Sequence, residues 1–378
     1  MNKHFQVATL MVLASMAAAA QTSEGRLYHS SGNEWINEVK GSIPAANSVK
    51  VVSSGGAVRV QGAQQTSIVY TVRERVRAGS EEAARRELSR IKFSVSPGEV
   101  AVFRAESEGR NHASVDFDIQ VPVQTALVGL KSGGGAIAVT GISGKVDAAT
   151  GGGSVNLDQI GGAVTAASGG GSIEIGKVGG DVEVSTGGGS IHIDSAGGRI
   201  SASSGGGSLR IGSGKAMRLE TGGGSIVVKK CDGQLKAETG GGSLEFVEVT
   251  GPAHVETGGG GIKVWSIIGG LHAETGSGPI TATLARGGLA FTESRLETSV
   301  GDIVVFVPDG LGVTIRASID AARGDGIRSD FGDNIKVHRT NTWGPGEVYA
   351  EGSLNGGGPL LRVHTSTGSI SIKRKGKE

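Results

Sequence analysis

The chain has 378 residues, 68 of them glycine and only 4% aromatic, with a formal net charge of +1. This composition excludes a core of large interlocking side chains, and the charge balance excludes a nucleic-acid binder that works by phosphate neutralisation. Glycine at this level without a period would signal a disordered tract; here it has a period, so the question is which repeat architecture it encodes.

Residues 1–20 read as a secretory signal. Lys3 and His4 precede an apolar stretch from Phe5 to Met16, and Ala18-Ala19-Ala20 before Gln21 fits an A-x-A cleavage site. The stretch is too short to span a bilayer comfortably, and no later segment is long and apolar enough for a transmembrane helix. No cysteine lies near the cleavage point, which argues against a lipid anchor. The single cysteine, Cys231, cannot form an internal disulfide, so the fold itself must supply stability outside the cytoplasm. Cys231 reads as a small buried hydrophobe.

Residues 21–125 form a β-rich region. Period-two alternation marks strands at Val49–Val52, Ala57–Val60, Ile68–Val72, Ile91–Val95, Val100–Phe103 and Val115–Val121. One short helix is expected over Ser80–Ile91, with Ser80 as N-cap and Glu81 and Glu82 in its first turn. The region is either a separate β-sandwich or a cap continuous with the repeats. The cap is preferred, because terminal coils need a cover for their open strand edges.

Residues 126–288 carry the repeat. Triple glycines begin at Gly133, Gly151, Gly169, Gly187, Gly205, Gly222, Gly240 and Gly258, with a degenerate copy at Gly276-Ser277-Gly278. The interval is the same throughout, except that the step from Gly205 to Gly222 is one residue shorter. In the unit Gly187–Ser204, Ile191 and Ile193 share one strand face and Ile200 and Ala202 share the matching face of a second strand. Large inward residues such as Leu157, Ile175 and Phe246 on one wall oppose smaller ones such as Ala148, Ala166 and Ala237 on the other. The predicted fold is all-β: a parallel β-helix, or solenoid, of coils about 18 residues long. Each coil pairs with the next at ~4.8 Å, so nine coils make a rod on the order of 40 Å long. The glycines are read as corners: some of them need φ > 0, and stacked corners bring backbones close together, which leaves little room for Cβ atoms. The residue missing from the short unit falls between Ile211 and Met217, in the second turn.

Residues 289–378 are irregular coils and a basic tail. Asp302–Val307 and Val313–Ile319 alternate, and Thr367-Gly368-Ser369-Ile370-Ser371-Ile372 recovers the repeat motif. The chain is expected to end on a coil after a looser excursion around Ala321–Pro345. The terminal Lys373-Arg374-Lys375-Gly376-Lys377 reads as a solvated end.

Three segments carry a family resemblance: GGAVRVQG at Gly55–Gly62, FDIQVPV at Phe117–Val123, and GGGPLLRVHTSTGSISIKR at Gly356–Arg374. With the glycine repeats, they make the chain resemble the bacterial "putative adhesin" family of β-strand-repeat proteins. The resemblance covers most of the chain after Ala20. It implies a parallel β-helix at or outside the cell envelope and specifies no activity.

Function can sit only in the outward columns. Glu220, Glu238, Glu256 and Glu274 occupy equivalent positions in four successive coils, beside a basic column of Arg218, Lys236, His254 and His272. This is either a solvated acidic stripe neutralised by its neighbours or a binding site for cations or a cationic surface. A calcium β-roll is excluded because the turns lack its aspartates. A hydroxyl column just before the glycines (Thr150, Ser168, Thr186, Ser204, Thr221, Thr239, Thr257, Thr275) points inward by alternation. That phase excludes an outward, ice-binding row and suits a ladder that satisfies itself and the corner backbone.

The glycine runs lack the following helix and Lys-Ser/Thr of a phosphate loop. Arg323-Gly324-Asp325 is a cell-attachment tripeptide by letter, for which chance is the better explanation in a glycine-rich chain. The expectation is therefore a non-catalytic, cofactor-free binding or structural module at the envelope or cell surface. Its partner is a glycan, a protein or an envelope component. The alternative is a carbohydrate-active β-helix enzyme, which would need carboxylates converging in a groove beneath long loops.

Overall fold

The computed structural model describes residues 22–107, 113–286, 291–322, 326–340 and 346–376. The expected signal segment and the Arg323-Gly324-Asp325 tripeptide lie outside the described residues. The fold is the expected solenoid, with 64% of residues in strands and 3% helical. Alternate strands along the chain separate into two long parallel sheets. The first runs through Val155–Ile160, Ile173–Val178, Ile191–Ala196 and their equivalents, paired residue for residue: Val155 with Ile173, Ile173 with Ile191, Ile191 with Leu209. The second runs through Val164–Ser168, Val182–Thr186, Ile200–Ser204 and Met217–Thr221, in equally strict register. The short repeat keeps both phases because only Lys215 and Ala216 separate Leu209–Gly214 from Met217–Thr221, where Gly197-Gly198-Arg199 separate the strands of the preceding coil.

The walls close on each other as the alternation requires. Ile191, Ile193, Leu209, Ile211, Leu244 and Phe246 of the first sheet are almost wholly buried against Val182, Val184, Ala202, Leu219 and Ala237 of the second. A third buried column ends each first-sheet strand: Ile160, Val178, Ala196, Cys231, Val249 and Ile267. Cys231 is thus the small hydrophobe expected, and burial pushes its thiol pKa up. The core is one cluster from Ile43 to Ile372, so the β-rich N-terminal region is continuous with the repeats.

Of the two demands expected at the corner glycines, positive φ and the close approach of stacked backbones, the regular coils show the second. None of the triple glycines from Gly133 to Gly260 has φ in the left-handed region; positive φ occurs at this corner only in flanking coils, at Gly56, Gly278, Gly301 and Gly368. Stacking is what demands glycine. A Cβ on Gly187 would lie 2.2 Å from the carbonyl oxygen of Gly169, and one on Gly189 would lie 2.3 Å from that of Gly171. A Cβ on Gly188, the middle residue, would have nothing within 4 Å.

The corner hydroxyls bond the backbone, not one another. Thr186 Oγ1 donates to the Gly171 carbonyl of the previous coil (2.8 Å) and accepts from Gly189 N–H of its own (3.3 Å). Thr239 does the same with Gly224 (2.8 Å) and Gly242 (3.2 Å), and Ser168 with Gly153 and Gly171. Each buried hydroxyl closes two backbone groups at the corner, at about 0.5–1.5 kcal/mol per hydrogen bond.

At both ends the stacking order departs from the chain order. Ser48–Ser53 and Val58–Ala63 form a coil directly beneath Leu127–Ser132 and Ile137–Ile142. The chain then leaves to build a coil further out, from Val100–Ser107 and Ser114–Pro122. At the other end, Leu360–Thr367 and Ile370–Arg374 sit between the coil of Ser294–Val300 and Ile303–Val307 and the outer pair Val313–Ala322 and Ile327–Ser329. The last strand therefore closes an inner coil and pairs on both sides, which hides its edge.

Antiparallel strands finish the edges. Ser67–Arg77, Glu34–Pro44 and Thr22–His29 extend the first sheet at the N-terminal end, and Gly346–Leu354 and Ile335–Arg339 extend the second at the other. The one α-helix among the described residues is Glu81–Leu88. Its Ser80 cap accepts from Ala83 N–H, and Ala84 is buried on the core. It stops short of the expected Ile91, because Ile91 starts the edge strand Ile91–Ser96 with its side chain in the core.

Candidate binding face

The second sheet places the acidic column as a continuous row. Ser203 pairs with Glu220, and Glu220, Glu238, Glu256 and Glu274 pair in turn, one coil apart. The row gains a fifth member, Glu297, paired with Glu274. The parallel basic row is Arg218, Lys236, His254, His272 and Arg295. Glu297 and Arg295 escape a search at the repeat interval because the segment before Ser294–Val300 is longer. The signal is nevertheless present: Ser294-Arg295-Leu296-Glu297-Thr298 repeats the pattern of Leu271-His272-Ala273-Glu274-Thr275.

Most of these carboxylates are drawn to the base two positions earlier on their own strand. Lys236 Nζ lies 2.5 Å from Glu238 Oε1, His254 Nε2 lies 2.6 Å from Glu256 Oε1, and Arg295 Nε lies 2.5 Å from Glu297 Oε1; Arg218 pairs with Glu220. The hydrogen bond from Lys236 holds the Glu238 carboxyl below the usual range, more than its slight burial raises it. Neighbouring carboxylates at ~4.8 Å repel by roughly 1 kcal/mol in water, and the adjoining bases offset this. The repulsion is confined to one lip of a groove of about 690 Å³, whose other wall is the corner backbone at Gly205, Gly222, Gly240 and Gly258.

Two further hollows lie along the same sheet. Towards the N-terminal end, Gly129, Ala149, Ala167 and Val100 line an apolar hollow of about 380 Å³. Towards the other end, Glu297, Arg316, Tyr349, Arg362 and His364 line one of similar size, in which Ser318 Oγ and His364 Nδ1 are 3.0 Å apart. The first sheet carries different chemistry. His192 pairs with Asp194 at 2.9 Å. Exposed Trp265 donates from Nε1 to Glu245 (2.9 Å) with Lys263 Nζ 3.7 Å from its ring centre.

No family model and no curated protein matches the sequence. Several solved structures show a likeness, at low identity and low TM-score. One is a "putative cell adhesion protein" from Clostridium sporogenes, at 9% identity and TM-score 0.17, covering 89% of this chain and 99% of that one. Another is a "putative lipid binding protein" from Parabacteroides distasonis, at 10% identity and TM-score 0.26, covering 90% and 97%. A third is a "putative adhesin" from Bacteroides fragilis, at 12% identity and TM-score 0.20, covering 89% and 97%. At these scores the likeness carries no weight for function, which has to be argued from the face itself.

One group on the face has the chemistry of a metal centre. A ligand atom each from Glu238, His254 and Glu256 lie within 4.8 Å of one another, all three residues half-buried. The His272 ring stands edge-on to that of His254, with centroids 5.1 Å apart.

Proposed function

We propose that this is an exported, non-catalytic binding protein of the cell envelope or surface, which lays an extended ligand along the outer face of the second sheet. The observation that carries this reading is the alignment of three hollows on one sheet: apolar at one end, acid-lipped in the middle, and at the other lined by charges of both signs (Glu297, Glu351, Arg316, Arg362) beside Tyr349 and His364. An extended partner such as a glycan chain, a polypeptide or an envelope polymer would meet all three in one pose. Rigid parallel strands fix the spacing of the contacts, which lowers the ordering cost on the protein side. Export is supported by the signal-like segment Met1–Ala20, and among the described residues no helix is long and apolar enough to cross a membrane.

Two features support a binding face over the enzyme alternative. A glycosidase acid needs a carboxyl whose pKa is raised, whereas Lys236 holds Glu238 low. Short turns join the strands across the middle of the stack, leaving no long loop to cover the groove there.

The test is binding of the chain from Gln21 onward to a glycan array and to intact bacterial and host cells. It is compared with a variant in which Glu220, Glu238, Glu256 and Glu274 are all glutamine. Saturable binding that weakens at least tenfold in the variant is expected. Undiminished binding by the variant removes the groove from the reading, and turnover of any array glycan removes the non-catalytic claim.

A further inference from the structure

The basic row changes character part-way along. It is Arg218 and Lys236, then His254 and His272, then Arg295. Arginine and lysine can only donate, whereas a neutral imidazole offers a lone pair to a metal. For two coils, the partner of the acidic row is therefore a potential ligand.

We infer that Glu238, His254 and Glu256 form a site for a divalent transition metal of the zinc class on the lip of the groove. The inference shares its location with the proposed binding face and needs that groove only to be open to solvent. Ligand atoms on one zinc-sized ion at 2.0–2.2 Å stand about 3.3 Å apart, and here they are already within 4.8 Å. Glu238 and Glu256 are paired neighbours in the ladder and His254 is two positions before Glu256 on the same face, so the backbone holds the trio together. Side-chain rotation alone closes the remaining distance. A carboxylate has two oxygens, so Glu238 can keep Lys236 on Oε1 and turn Oε2 to the metal.

Binding puts the cation where His254 Nε2 now meets Glu256 Oε1 at 2.6 Å. It releases any proton held on that nitrogen and relieves repulsion between the two carboxylates. The His272 ring stands edge-on to His254, outside the trio. One imidazole with two carboxylates favours zinc, cobalt, nickel or copper over calcium and magnesium, which take oxygen ligands. Among the described residues this is the one trio whose ligand atoms come so close. In the coils of Glu220 and Glu297 the partner is an arginine, which is no ligand.

The experiment uses the chain from Gln21 to Glu378, with any affinity tag removed, after chelator treatment and dialysis. Zinc chloride alone is titrated by calorimetry at pH 7.5, and cobalt chloride is followed by its visible absorption. The expected result is one saturable site per chain, lost in His254→Ala and in Glu238→Gln, and unchanged in His29→Ala at the far end of the protein. Circular dichroism should be the same for all four proteins. The proposal falls if the wild type takes up no stoichiometric zinc, if His254→Ala and Glu238→Gln bind it as the wild type does, or if calcium binds as tightly. The two readings separate cleanly. Surface binding by metal-free protein with no zinc site leaves the face reading standing and this one overturned. Stoichiometric zinc without any surface ligand does the reverse.

Discussion

Alanine substitutions along one corner separate the two explanations of its glycines. In the corner Gly187-Gly188-Gly189, a Cβ on Gly189 would meet the Gly171 carbonyl oxygen at 2.3 Å and its carbon at 2.5 Å. Both atoms are backbone and cannot rotate aside. The coils would have to part locally, an overpacking cost of about 1–3 kcal/mol before any lost ladder hydrogen bonds. A Cβ on Gly188 would meet nothing, and its φ is not left-handed. Gly188→Ala should therefore stabilise by about 0.4–1 kcal/mol, because it restricts the unfolded chain. The neighbouring variants are thus expected to differ by roughly 1.5–4 kcal/mol, at least a tenfold ratio in the unfolding constant. Urea unfolding followed by far-UV circular dichroism measures this, provided the slopes of the transitions agree. If Gly188→Ala destabilises as much as Gly189→Ala, the corner needs glycine for its backbone conformation and the stacking argument is wrong.

The hydroxyl ladder makes a second prediction. Thr239→Val keeps the shape but removes the donor to the Gly224 carbonyl and the acceptor for Gly242 N–H, at a cost of about 1–3 kcal/mol. Thr239→Ser should be close to neutral, since Ser168 and Ser204 hold equivalent rungs; equal losses in both variants, again by urea midpoint, would point to the methyl group instead. A third prediction concerns Glu74, buried in the N-terminal region, where desolvation raises its pKa and the hydrogen bond from Asn37 (2.7 Å) only partly offsets this. The folded state holds this proton more tightly than the unfolded one. Its favourable contribution is therefore complete below the ordinary carboxyl value of 4.5 and declines as pH rises through the raised value. Glu74→Gln should gain stability over the wild type between pH 4 and pH 7.5; a constant difference across that range would contradict the assignment.

The regular coils are legible because their information is local. Each unit restates the same alternation, and one shortened unit shows which turn can lose a residue. The end coils are not, because nothing local says that Val58 will pair with both Ile137 and Phe117, each far along the chain from it. Thr367–Ile372 announces a coil, yet it gives no sign that the coil lies inside the outermost one. The acidic row can be followed as far as Glu274 and is lost at Glu297 for the same reason, since register across a longer connection is a tertiary fact. Both demands on the corner glycines can be named from the sequence, but not which of them prevails, because steric freedom and steric necessity leave the same letter.

The corner and the binding face are linked through adjacent residues. In Glu238-Thr239-Gly240 and its copies, strand alternation sends the hydroxyl inward and the carboxylate outward. The inward residue is held by two hydrogen bonds to corner glycines of successive coils. Those bonds fix the end of the strand in rotation and in height, and with it the neighbouring Glu238 on the lip of the groove. A row of carboxylates on a mobile surface would spread to lessen its repulsion. Here the buried ladder of Thr221, Thr239, Thr257 and Thr275 keeps the backbone of the row at the coil repeat, and the side chains adjust only by pairing with Arg218, Lys236 and His254. The regular hydroxyls that build the rod are therefore also what hold the groove's charges in line. A change at Thr239 should loosen the face at Glu238 before it unfolds the coil.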